Sequence, residues 1–108
     1  MSNVSGIEQA AYLLLKVGLD GVTNSESAYL YDLLNFRDHI SALKRRHNIK
    51  VEKLSEPPQV RYRVADQPMA KRVINIVNSF RVKRNASMLT DIECKQVLMS
   101  FLKADKEA

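Results

Sequence analysis

The run Thr23-Asn24-Ser25-Glu26 constrains the fold of this chain more than any other stretch, because it fixes where a helix must begin. At this spacing the threonine hydroxyl accepts from the backbone of the third helical residue, and the glutamate reaches back to the cap. Val22 precedes the cap as its apolar neighbour. The spacing predicts a short helix over 24–31, with Ala28 as the small residue at which two helices can cross closely. Asp32-Leu33-Leu34 reads as a turn, and Asn35 as the cap of a further helix over 36–47. Phe36, Ile40, Leu43 and His47 share one face of that helix, while Arg37, Asp38, Ser41, Lys44 and Arg45 occupy the other.

The flanks extend the pattern. Ile7, Ala10, Ala11, Leu14 and Leu15 recur at helical spacing and predict a first helix over 7–17, stopped by Gly18, with Leu19-Asp20-Gly21 as a turn. After the 36–47 helix, Ile49, Val51 and either Lys53 or Leu54 alternate with charged residues. Val60-Arg61-Tyr62-Arg63-Val64 alternates apolar with basic positions. Between these lies Ser55-Glu56-Pro57-Pro58, whose prolines cannot donate to a strand ladder. The expectation is a β-hairpin with Val60, Tyr62 and Val64 facing the helices and Arg61 and Arg63 facing outward. Asp66-Gln67-Pro68 opens another helix, with an apolar stripe of Ala70, Val73, Ile74, Val77 and Phe80 and with Lys71, Arg72 and Asn75 off it. A second capping box, Thr90-Asp91-Ile92-Glu93, starts a last helix over 91–103. Cys94, Val97, Leu98, Phe101 and Leu102 lie on one side of it, and 104–108 fray.

At 108 residues the chain has a single-domain length. Hydrophobic residues at 45% against charged residues at 27% exclude a disordered composition. No apolar run approaches the roughly 20 residues of a membrane span, and the first residues lack the basic-then-apolar order of an export signal. A lone Cys94 makes no internal disulfide, which points to a reducing cytoplasm. The net charge is +5, and its distribution is uneven. Residues 1–34 carry a net −3, residues 35–53 a net +4, and residues 61–84 a net +6. Cations concentrated in two adjacent central blocks are the footprint of a polyanion binder; the alternative is a set of solvated helix faces.

The segment from Ser25 to Leu54, SESAYLYDLLNFRDHISALKRRHNIKVEKL, followed by VRYRV, resembles the small winged helix-turn-helix domains of bacteriophage and prophage proteins. Their pattern is a threonine-capped helix containing alanine, a short turn, a helix of the form R-x-x-I-x-x-L-R/K-R, then G-x-x-I and a wing strand. Arg37, Ile40, Leu43, Lys44 and Arg45 align with that form, with Asp38-His39 inside the first gap. Asn48 departs from the glycine, yet asparagine tolerates the left-handed conformation needed there. The resemblance covers roughly residues 19–64. It implies a mostly α fold with a small β-hairpin, comprising a winged helix-turn-helix domain over 1–66 and a helical extension over 67–108.

It also implies sequence-specific binding of double-stranded DNA by a transcriptional regulator of a phage or other mobile element, in the cytoplasm of a bacterial host cell. On this reading Asn35, Arg37, Ser41 and Lys44 read bases, while Arg45, Arg46, Lys50, Arg61 and Arg63 hold phosphates. Asp38 pairs with Arg37 or Arg45, or accepts from a cytosine amino group. The carboxy-terminal helices either pack back on the domain or form a homodimer. Two alternatives stand beside this: a protein-interaction or inhibitor module using a basic face, and an accessory nucleoprotein factor in replication, packaging or recombination.

Catalysis is not expected. His39 and His47 lie eight residues apart without a cysteine or second carboxylate nearby, so neither a metal site nor a general base is formed. No phosphate-cradling glycine motif or glycine-flanked nucleophile is present. Cys94 sits on an apolar stripe and lacks a basic neighbour to activate it. No cofactor, metal, membrane or small-molecule substrate is therefore anticipated. Tyr29, Tyr31 and Tyr62 either stack on bases of a single strand or belong to the core, the ordinary place for aromatics in helices and strands.

Overall fold

The computed structural model describes residues 4–54 and 60–107, with the backbone alone over 102–107. The chain is mostly helical with a small antiparallel sheet, in the order α1 (Gly6–Val17), β1 (Val22–Thr23), α2 (Asn24–Tyr31), α3 (Phe36–His47), β2 (Val51–Lys53), β3 (Arg61–Val64), α4 (Gln67–Lys83) and α5 (Asp91–Glu107). None of these helices is long and apolar enough to cross a membrane. The hairpin loop expected at Ser55-Glu56-Pro57-Pro58 lies outside the described residues.

Local chemistry sets the helix starts. Ser5 accepts from the Glu8 amide and caps α1. Thr23 and Glu26 form the complete capping box of α2. Asp66 accepts from Met69 at the start of α4, and Thr90 and Glu93 exchange bonds of 3.1 Å at the start of α5. Each cap satisfies amides that the first helical turn cannot. The helix α5 continues past the expected end at 103, through Ala-Asp-Lys-Glu. Alanine, lysine and glutamate there are good helix formers.

The sheet has three strands rather than the two of a hairpin, in the order β1-β3-β2, with β3 central and antiparallel to both neighbours. The added strand is Val22–Thr23, opposite Tyr62 and Arg61. Gly21 makes this approach possible. Its φ is +72°, and a side chain there would place Cβ 2.7 Å from the Tyr62 carbonyl. A two-residue strand carries no alternation that a sequence pattern could reveal.

Along β3, Tyr62 and Val64 are buried in the core. One core joins Leu14 of α1, Val22, Phe36, Ile40 and Leu43 of α3, and Val73 and Val77 of α4 with Phe101 of α5. The stripes of α4 and α5 thus pack in cis, α4 chiefly against α1. A partly buried ion pair fastens the end of α4 to the start of α1. Glu8, 3% exposed, accepts from Arg84 Nε at 3.0 Å and Nη2 at 2.6 Å. This carboxylate holds the Arg84 guanidinium above its ordinary pKa.

Candidate nucleic-acid interface

Two left-handed residues and one buried hydroxyl set the attitude of α3. At the end of α2, Asp32 adopts φ 54°, ψ 37°. The Asp32 and Leu33 amides both bond the Ser27 carbonyl, which closes the helix at this left-handed residue. The Ser27 hydroxyl, fully buried, donates to the Leu33 carbonyl at 2.7 Å and closes the turn from the other side. Asn35 is also left-handed, at φ 60°, and no side-chain cap bond forms from it. The cap predicted for Asn35 comes instead from Asn24, whose Oδ1 accepts from the Arg37 amide at 3.2 Å. The left-handed Asn35 turns its side chain away from the α3 amides, and the first residue of α2 fills that place.

The far end of α3 closes in the same manner. Asn48 adopts φ 58°, ψ 38°, and the Ile49 amide reaches back to the Leu43 carbonyl at 3.3 Å, with Ile49 buried. Phe36 meets Tyr62 edge-on at 5.9 Å between ring centroids, locking the start of α3 to β3. Phe36, Ile40 and Leu43 are buried, as the stripe predicts, and Ala42 joins them.

The opposite side is exposed at Asn35, Arg37, Asp38, Ser41, Lys44 and Arg45. Arg37, Ser41 and Lys44 form one row up the helix, with Arg45 beside it. The Ser41 hydroxyl donates to the Arg37 carbonyl at 3.1 Å, which leaves its oxygen facing outward as an acceptor. Arg45 lies along the helix toward the Ser41 carbonyl at 3.5 Å. Arg46 and Lys50 are exposed too, but Arg46 follows Lys44 by two residues and leaves from nearly the opposite side of the helix. Among the described residues none of these cations forms an ion pair with a carboxylate. Asp38 likewise pairs with neither Arg37 nor Arg45; it sits in the first turn of α3, where the helix dipole favours an acid.

Arg61 and Arg63 do not join that row. They leave β3 on the face away from Phe36 and are compensated there. Arg61 places both terminal nitrogens on Glu26 at 2.9 Å and also reaches the Gly21 carbonyl at 3.2 Å. Arg63 pairs with Glu52, its direct cross-strand neighbour, at 3.0 Å, and bonds the Leu19 carbonyl. Arg61 and the Thr23 amide hold the Glu26 carboxyl below its ordinary range.

The remaining chemical candidates have structural partners. A side chain at Gly6 would collide with the His39 ring, so that imidazole packs over the start of α1. His47 lies edge-on to Phe80 at 6.1 Å, and its carbonyl accepts from Arg72 at 3.2 Å. Burial, then the Asp91 and Glu93 carboxylates, pushes the half-buried Cys94 thiol up. No group of three potential metal ligands occurs among the described residues.

The tyrosines divide. Tyr62 is core, whereas Tyr29 is 88% exposed, beside Leu30 at 70% and Leu34 at 66%. Consecutive apolar residues from Ala28 to Tyr31 cannot all face inward from one helix, and that crowding is the sequence signal for this patch. The chain matches no family model, no characterised protein and no solved structure.

Proposed function

We propose that this chain is a winged helix-turn-helix protein that binds double-stranded DNA in a sequence-specific manner, as a regulator carried by a phage or other mobile element in the bacterial cytoplasm. The order α1-β1-α2-α3-β2-β3 and the strand order β1-β3-β2 support the winged reading. The observation that carries it is the exposed row on α3. Arg37, Ser41 and Lys44 stand clear of carboxylate partners on a helix fixed at both ends by left-handed turns. A helix so held enters a major groove in one register, with Asn35, Arg37, Ser41 and Lys44 at base edges.

Arg45 and Lys50 then meet phosphates, whereas Arg46, leaving from nearly the opposite side of α3, stays off this face. Arg61 and Arg63 reach the backbone only by opening their pairs with Glu26 and Glu52. Exposed Ile92 and Met99, seven residues apart on α5, give a twofold partner an apolar seam. Selection of bound fragments from random duplex DNA tests the proposal. An enriched site that Arg37→Ala and Lys44→Ala each degrade is expected. Recovery of unselected sequence, with no retention on heparin at low salt, overturns it. The exposed patch of Tyr29, Leu30 and Leu34 favours a second reading, a protein-interaction module, for which that negative outcome is expected.

A further inference from the structure

We infer that the outer stripe of α4, Arg72, Asn75, Ser79 and Lys83, is a second phosphate-contacting surface, continuous with α3 and engaging the backbone of the same duplex. This rests on the DNA-binding reading of α3. The four residues recur at i, i+3, i+7 and i+11, one row of a helix, and all are exposed. The segment Gln67–Lys83 contains no acidic residue, so nothing on α4 itself opposes an approaching polyanion.

Of its other two cations, Lys71 is exposed but off this row, and Arg81 points elsewhere: it lies over the Tyr12 ring at 5.2 Å and donates to the Ser87 carbonyl. The stripe is tied to the end of α3 at two levels. Arg72 bonds the His47 carbonyl at 3.2 Å, and the His47 ring shares a shallow cleft with Asn75, Ser79, Phe80 and Lys83. Lys44 stands one turn before His47 on the adjoining side of α3. A backbone gripped at Arg45, beside Lys44 in the groove, is thereby carried across His47 onto a row of two cations and two neutral hydrogen-bonding groups. Serine, asparagine, arginine and lysine are the side chains that commonly hold phosphate oxygens. An acidic protein surface would use the cations equally, and the test separates the two.

Duplex binding by the full chain, followed by fluorescence anisotropy, is compared for the wild type, Asn75→Asp/Ser79→Asp and Lys95→Glu. The latter two change net charge equally, one on the stripe and one on exposed α5. The stripe variant is expected to bind at least tenfold more weakly, and Lys95→Glu within about twofold of wild type. In a second arm, Lys83→Ala lowers the log-log salt slope by about 0.9, one phosphate contact. Thermal melting verifies that each variant folds.

Equal weakening by both charge changes, or no change in either arm, overturns the α4 assignment while leaving the α3 proposal standing. A wild type that does not bind duplex at all overturns both.

Discussion

Arg61 forks onto Glu26, with two nitrogen-to-oxygen distances of 2.9 Å, and so couples the central strand to the cap of α2. The same carboxylate accepts from the Thr23 amide at 3.0 Å. Because the fold lowers the Glu26 pKa, this arrangement stabilises the protein above the unfolded-state pKa of that carboxyl. The stability is lost as pH falls through the folded value.

Glu26→Gln keeps an acceptor for Thr23 but removes the charge. Its expected cost is under about 1 kcal/mol at neutral pH, the scale of a partly exposed pair. The stability difference from wild type should vanish in acid, below the glutamate range, as seen in urea titrations at several pH values.

Ser27→Ala removes the buried donor to the Leu33 carbonyl while preserving the helix. Leaving that carbonyl unsatisfied in the core should cost about 2 kcal/mol, measured by chemical denaturation. A change below about 0.5 kcal/mol would mean that the hydroxyl does not close the turn ahead of α3.

Gly21→Ala meets both a left-handed φ and the Tyr62 carbonyl. A destabilisation of about 2–3 kcal/mol is expected, with loss of amide protection at Tyr62 in hydrogen exchange. Retention of that protection would show that β1 tolerates a side chain at the turn.

The helices α2 and α3 were legible to the residue because their determinants are local: a capping box at Thr23, an asparagine at Asn48 and an apolar stripe between. The exposed side of α3 followed from the same periodicity. What escaped the sequence depends on distant residues. Glu26 lies 35 positions before Arg61, and Glu8 lies 76 before Arg84, so block charges made these arginines look available. Asn24 capping α3 across 13 positions is invisible for the same reason. The strand β1 owes its existence to Gly21 meeting Tyr62, a contact no pattern of two residues can encode.

Duplex affinity as a function of salt is the decisive quantity for the DNA-binding proposal. Four cations assigned to phosphates on α3, the loop after it and α4, namely Arg45, Lys50, Arg72 and Lys83, are exposed. If each neutralises a phosphate, the observed association constant should fall with a log-log slope near −3 to −4 across roughly 50 to 200 mM salt. A slope flatter than about −1, or no measurable binding at the lowest salt, would contradict the assignment of this face to nucleic acid.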